Sequence, residues 1–206
     1  MDINSFQNIW DNIAKKYHFG KDYYKEFTTM NPHQKMFFVG NYCLLRLARE
    51  EGQMASFCKN KETWASANKK EVARSVATIF ICLVRVAQEF KMTSRTIFDV
   101  VNSKMSRAKV ANLPEIRDLM LSIQSSQGNL AEAILLCEKV GLMTSMSNIT
   151  FETEKNIELY QLVIKTLFMN LMCIVCEFEF ISVNDFLRQV VPKEVEKIDL
   201  SPYIYL

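Results

Sequence analysis

The sequence predicts an all-α protein made of two tandem helical modules, and three observations carry that prediction. The first is a repeat: a shift of 88 positions, from Thr78 to Thr166, lays the second half of the chain on the first without a gap. Phe80, Leu83, Glu89, Phe90, Ser94 and Phe98 fall on Phe168, Leu171, Glu177, Phe178, Ser182 and Phe186, and the same shift carries Gly40, Asn41, Leu47 and Glu50 onto Gly128, Asn129, Leu135 and Glu138. The second is a shortage of turn residues, since 5 Gly and 4 Pro in 206 residues cannot supply the turns of a fold with many short strands. The third is apolar spacing of three and four residues, sustained over runs too long for a strand. A duplicated helical unit of this size predicts two similar modules packed about a pseudo-two-fold axis.

Residues 1–30 read as a helical extension outside the repeat. Ile3, Phe6, Ile9, Trp10 and Ile13 recur at helical spacing before Lys15, Lys16, His18, Phe19 and Gly20 close the helix. Tyr23, Tyr24 and Phe27 make a second apolar patch, and Asn31 with Pro32 ends it. Repeat one spans 31–112. Its first helix runs from His33 to Gly52, with the glycine as its stop, and a polar stretch, Asn60 to Lys70, follows. From Glu71, the positions Val72, Val76, Ile79, Phe80, Leu83, Val84, Val86, Ala87 and Phe90 define the core helix. Thr93 or Ser94 caps the next helix, whose apolar face is Ile97, Phe98, Val101 and Met105. Repeat two, 113–198, keeps that order: Ile116 to Gly141, a polar loop from Thr144 to Thr153, a core helix from about Ile157 to Phe178, and a helix capped by Ser182 and stopped by Pro192. The tail, 199–206, ends in Tyr203, Ile204, Tyr205 and Leu206 and is expected to dock back on a single compact body formed by both repeats.

At 49% hydrophobic content, a chain of this length buries a sizeable core, so disorder is not its main state. The 6 Cys and the absence of an apolar leader from Met1 to Lys16 point to a reducing, cytoplasmic setting, with Cys43, Cys82 and Cys137 as free buried thiols. In that setting the sequon at Asn148, Ile149 and Thr150 is inert. The longest uncharged apolar run, Leu167 to Cys176, is about half of a membrane span, so no membrane partner is expected. Net charge is +2 but divided: 18 Lys and Arg face 10 Asp and Glu through residue 110, or +8, while 7 face 13 beyond it, or −6. An anionic partner for the first half, self-association between oppositely charged halves, and mutual attraction of the halves within one chain all fit that division.

The order of each repeat, a helix, a polar loop, a long apolar helix and a capped shorter helix with Lys near its end, resembles MazG and the all-α nucleotide pyrophosphohydrolases, including dimeric dUTPases. Gly128, Asn129, Leu130, Ala131, Glu132, Ala133, Ile134 and Leu135 are similar to the Gly-Glu-Leu-Ala-Glu-Ala run of that family's first catalytic helix. Phe80 to Ala87 with Glu89 and Phe90 resembles its second helix, and Asn102, Ser103, Lys104 and Met105 its closing Lys-Met segment. Phe57, Cys58, Lys59 and Trp64 are similar to an aromatic-Lys-Trp loop of the dUTPase branch. The resemblance covers about four fifths of the chain and implies a MazG-like helical bundle. In the family, Glu-x-x-Glu on one helix and Glu-x-x-Asp on the next hold Mg²⁺, a hard ion that wants oxygen ligands.

Here the family's carboxylates are replaced. The matching positions on the first helix of repeat two are Ser126 and Asn129, and in repeat one Asn41; on the second helices they fall near Ser75 and Thr78 and near Val163 and Thr166. Glu132, Glu138, Glu50 and Glu71 are the acids that remain nearby. The resemblance therefore implies no catalytic residue, no metal and no cofactor, with Mg²⁺ needed only if the alternative, a nucleoside triphosphate pyrophosphohydrolase, holds. The expected role is binding or regulation by a pseudoenzyme, through protein–protein interaction or nucleotide binding.

Other motifs carry less. Cys173 and Cys176 form a CxxC with no second pair, inside an apolar run, and are expected to be buried thiols. With only His18 and His33 in the chain, neither flanked by a nucleophile motif, a Ser/His or Cys/His hydrolase has little to draw on, and no glycine-rich phosphate loop occurs. Gly40-Asn41 and Gly128-Asn129 are expected to allow close helix packing with buried Asn amides bonded across the pseudo-dyad. Thr78 and Thr166 are expected to bond back to their own helices. Lys59, Lys61, Lys69, Lys70 and Arg74 surround Trp64, and Lys104, Arg107 and Lys109 end repeat one, a basic and aromatic set that suits anions and makes a single-stranded nucleic acid a second alternative.

Overall fold

A computed structural model of the chain describes residues 1–16, 28–57, 68–105, 116–143, 150–177 and 182–198. Every element among them is helical: α1 (Ile3–Lys16), α2 (Pro32–Phe57), α3 (Lys69–Glu89), α4 (Ser94–Met105), α5 (Ile116–Met143), α6 (Thr150–Glu177), α7 (Val183–Asp185), a π-helical turn (Phe186–Val190) and α8 (Val191–Glu196). The all-α prediction holds. Residues 17–27, 58–67, 106–115, 144–149, 178–181 and 199–206, with the expectations placed on them, lie outside the described residues.

Local chemistry sets the helix ends. Asp2 caps α1 by accepting from Ser5 N at 2.8 Å, and that contact holds its exposed carboxyl below the usual range. Asn31 and Gln34 form a reciprocal box at the start of α2, each side chain accepting from the other's backbone N–H at 2.9 Å. Asn68 accepts from Lys70 N at 3.1 Å and starts α3 two residues before Glu71. At the next junction it is Thr93 that caps, accepting from Thr96 N at 3.1 Å, while Ser94 Oγ turns inward to Gln7 of α1. Ser182 caps α7 as expected, accepting from Asp185 N at 3.0 Å.

Three helix ends differ from the sequence reading. Gly52 does not stop α2, which continues to Phe57; the glycine is exposed with nothing near its Cβ position, and no left-handed turn uses it. Helix α6 begins at Thr150 instead of near Ile157. Pro192 does not stop the last helix but sits in the first turn of α8, where its missing N–H breaks no bond. The π-helical turn before it supplies the change of register, with Val191 N bonding back to Phe186 O.

Between α3 and α4 the chain reverses in a Schellman turn: Lys91 N donates to Gln88 O at 3.1 Å and Met92 N to Ala87 O at 2.9 Å. Lys91 occupies the position usually given to glycine, at φ 57.

Helix α2 packs on α3 and α5, α5 on α6, and α6 on α3, closing a ring of four long helices. Phe80 and Phe168 meet edge to face at 5.5 Å between α3 and α6. Phe90 lies against Tyr160 at 6.0 Å and accepts from Gln161 Nε2 at 2.9 Å, so the end of α3 meets the beginning of α6 and the pair is antiparallel. Outside the ring, α4 covers α6, while α1 and α8 cover α3 and touch each other. Phe6 brings α1 into the core against Phe80 at 6.4 Å and Phe98 at 5.6 Å, and Phe186 reaches Phe80 from the π-helical turn at 6.1 Å. Gln88 Nε2 fixes α1 further by donating to Trp10 O at 2.8 Å.

These contacts bury α3 almost completely, leaving only its first three residues and Arg74 open to solvent, with Arg85, Gln88 and Glu89 partly covered. Helix α6 is less covered. Ile157–Cys176 is long and apolar enough to cross a membrane by length and composition, a longer stretch than the uncharged run counted from sequence, because the window tolerates Glu158 and Lys165. Half of it is buried in the fold, including Ile164, Leu167, Phe168 and Leu171, and the core helix of a globular protein passes the same test.

Phe80→Ala is expected to cost about 3–5 kcal/mol, read as a lower urea midpoint at unchanged m-value, because four elements lose their common contact. Lys91→Gly is expected to stabilise by roughly 0.5–1 kcal/mol in the same assay by removing the left-handed strain.

Candidate functional site

Among the described residues, the acids singled out from sequence lie on three different helices. Glu71 is exposed in the first turn of α3 and Glu132 is exposed on α5, while the side chain of Glu138 lies outside the described residues. Glu50 alone is buried, at 7% exposure on α2. Among the described residues, no three His, Cys, Asp or Glu side chains form a group that could hold a metal ion.

Of the basic set, Lys69, Lys70 and Arg74 are among the described residues, all exposed at the start of α3. Lys59, Lys61, Arg107, Lys109 and the Lys104 side chain lie outside the described residues. Arg74 faces solvent and pairs with Glu194 of α8 at 3.7 Å. Arg95 pairs with Asp99 at 3.2 Å. Both ion pairs are surface contacts of small energy, but each takes a cation out of a basic field.

The Gly-Asn expectation is overturned. Asn41 and Asn129 are exposed, so neither amide bonds across a helix interface, and Gly128 is exposed with nothing within 4 Å of its Cβ position. Only Gly40 is buried. The two asparagines sit where α2 and α5 face solvent, and a polar amide there needs no buried partner. The threonine expectation holds: Thr78 Oγ1 donates to Arg74 O at 3.1 Å and Thr166 Oγ1 to Leu162 O at 3.0 Å. Cys43 and Cys82 are buried and form no disulfide, and burial with the Cys82 contact pushes the Cys43 thiol well up, which makes it a poor nucleophile. Of the CxxC pair, Cys173 is buried but Cys176 is exposed, because a spacing of three turns the second thiol past the edge of the core-facing stripe.

The structure instead gathers a polar seam that the sequence reading did not assemble. Glu51 is buried at 3% exposure beside Glu50 on α2, one turn from Leu47 and Met54, which are fully buried. With its amide nitrogen turned to α2, Gln127 of α5 donates to both Glu51 oxygens, at 3.1 Å to Oε1. Gln53 closes the other side, accepting from Ser75 Oγ of α3 at 3.2 Å. Burial alone raises the Glu51 carboxyl from 4.5 to about 7. Glu50 Oε2 is buried without a hydrogen-bond partner. A signal was present in the sequence, since Glu51 shares a helix stripe with Leu47 and Met54, where an unpaired acid has no reason to be solvated.

A second feature lies on α6 and α5. Leu159, Leu162 and Met169 of α6 are exposed at 56%, 59% and 41%, and Leu121 of α5 at 54%. Asn170 Nδ2 bonds Ser122 Oγ at 2.7 Å and sets α5 beside α6 there. Large apolar side chains at spacings of three and seven on one helix form a stripe that water covers at a cost.

Comparison with protein-family models, with curated proteins and with solved structures finds no match to this chain.

Because they are exposed, Glu71→Gln and Glu132→Gln are each expected to change stability by no more than about 0.5 kcal/mol in thermal melts. Glu50→Met, which removes the orphaned oxygen and keeps the side chain's length, is expected to stabilise by about 1–2 kcal/mol at pH 8 in urea unfolding.

Proposed function

We propose that the chain is a duplicated, MazG-like helical scaffold that acts by binding a protein partner in a reducing, cytoplasmic setting, without metal-dependent hydrolysis. The duplication is supported by Phe80 and Phe168, which are 88 positions apart and touch each other, as equivalent residues do only beside a two-fold axis. It is supported again by the ring, in which α2 meets its equivalent α5 and α3 its equivalent α6. Loss of catalysis is supported by the places of the remaining acids: Glu71 and Glu132 are on separate helices and face solvent, and Ser75 and Thr78 occupy the buried face where the family has its second acidic pair.

The observation that carries the binding reading is the exposed stripe of Leu159, Leu162 and Met169 with Leu121 beside it. Its energetic value lies in being covered, at roughly 25 cal/mol per Å² of apolar surface removed from water. The partner then presents an apolar helix or groove, and the net charge of −6 beyond residue 110 favours a basic one. A second reading, binding of single-stranded nucleic acid, rests on the exposed Lys69 and Lys70 at the start of α3 and is weakened by the pairing of Arg74 and Arg95.

Incubation with a panel of nucleoside triphosphates and Mg²⁺ or Mn²⁺ is expected to release no pyrophosphate, and release abolished by Glu132→Gln sinks the pseudoenzyme reading. Titration with labelled single-stranded DNA and RNA at two salt concentrations is expected to give no tight, salt-steep binding, and such binding moves the assignment to nucleic acid.

A further inference from the structure

We propose that the exposed α6 stripe is covered by the outer face of α2 from a second copy of the chain, so that copies associate head to tail. This rests on the reading above that the stripe binds protein, and it names the partner. Among the described residues, five large apolar side chains stand exposed: Leu121, Leu159, Leu162 and Met169 on α5 and α6, and Leu45 on α2. Leu45 lies nine positions from the fully buried Met54 (54 minus 45), about two and a half turns, so it points directly away from the core. Leu162 stands in the same relation to the fully buried Leu171 on α6.

Neither face can cover the other within one chain. Helices α2 and α6 each pack on α3 and α5, so they stand diagonally across the ring and their outer faces point in opposite directions. The matching face of α3, in contrast, is covered by the chain's own helices. Arg74 meets Glu194 of α8, Gln88 meets Trp10 of α1, and Ile81, midway between them, is buried. The residues 88 positions further on are Leu162, Met169 and Cys176, and all three are exposed.

Charge selects α2 as the cover. Its two acids, Glu50 and Glu51, are buried, so the charges that α2 shows to solvent are the half-buried Lys35 and Arg46 and the exposed Arg49, all positive. Among the described residues of α5 and α6, the exposed charges are Asp118, Glu132 and Glu158, all negative, with Lys165 half-buried. Opposite fields steer the two faces together, while like fields keep stripe from stripe and α2 from α2. The exposed neighbours of Leu45 on its face include Asn41, Ala48 and Gly52, and nothing lies within 4 Å of the Gly52 Cβ position, so a second helix can approach closely. One helix face on each side buries less than about 1,200 Å² in total, the size of weak contacts, and association is expected on the order of 10–100 µM. The contact joins two different faces, so every open oligomer ends in one free face of each kind.

Sedimentation equilibrium of the full chain from about 5 to 500 µM, a range that brackets weak contacts, tests this. The average mass is expected to rise with concentration and to fall back as salt is added. Leu45→Glu and Leu162→Glu, each at an exposed position and each checked for an unchanged thermal melt, are expected to weaken self-association at least about tenfold. Mixed in equal amounts, the two variants are expected to form a one-to-one dimer and nothing larger, since the first keeps an intact α6 stripe and the second an intact α2 face. The proposal is overturned if the wild-type chain stays monomeric, if either variant assembles as the wild type does, or if the mixture stays monomeric. A monomeric wild type leaves the protein-binding reading to a separate measurement: proteins retained from a lysate by the immobilised wild-type chain and lost with Leu162→Glu keep that reading, and no such difference removes it.

Discussion

The Phe80 side chain must be covered from several sides at once, and the rest of the structure is arranged around that requirement. Phe168 covers it from α6, Phe186 from the π-helical turn and Phe6 from α1, each ring approaching near the perpendicular. Perpendicular rings cannot slide past one another without losing contact, so the cluster fixes the rotation of α3 as well as its depth. From that rotation follow the burial of Thr78 and Ser75, the exposure of Arg74, and the meeting of Phe90 with Tyr160 at the end of the same helix. The widened π-helical backbone at Phe186 to Val190 belongs to the same constraint, since it carries Phe186 inward while Pro192 begins a fresh turn behind it.

The parts of the fold that were legible in the sequence are those where one physical signal dominates. Apolar spacing placed α1, α3 and α6 because their buried residues recur at helical period, and Ser182 was readable as a cap because a hydroxyl before an apolar run has one cheap use. The misreadings fall where a strong local rule met tertiary context. Gly52 looked like a helix stop, but α2 passes through it because Met54 beyond it is buried against the neighbouring helices. Pro192 looked like a stop for the same kind of reason, and a change of helical register absorbed it.

The functional surface was less legible, because matching two repeats directs attention to what they share. Gly40-Asn41 and Gly128-Asn129 agree between the halves, yet their amides face water. Glu51 has Lys139 at its repeat position, so the repeat draws no attention to it, although it is the most deeply buried acid among the described residues. Likewise Leu159 and Leu162 are matched by Glu71 and Arg74, and this divergence gives the second half an apolar stripe where the first has charge. The matched positions agree at Phe80 and Phe168, both fully buried, and part company at Ile81, buried, and Met169, exposed.

The position of Phe6 has a consequence for synthesis. Phe80 leaves the ribosome 106 residues ahead of Phe186, so at roughly 5–20 residues per second the apolar side of α3 waits about 5–20 seconds for its last aromatic neighbour. Helix α1 is the one outer cover made before α3, and Phe6, with the bond from Gln88 to Trp10, lets it shield the nascent core helix while the second half is still being made. A segment that precedes both matched halves thereby answers a problem of timing that neither half, made in series, answers for the other.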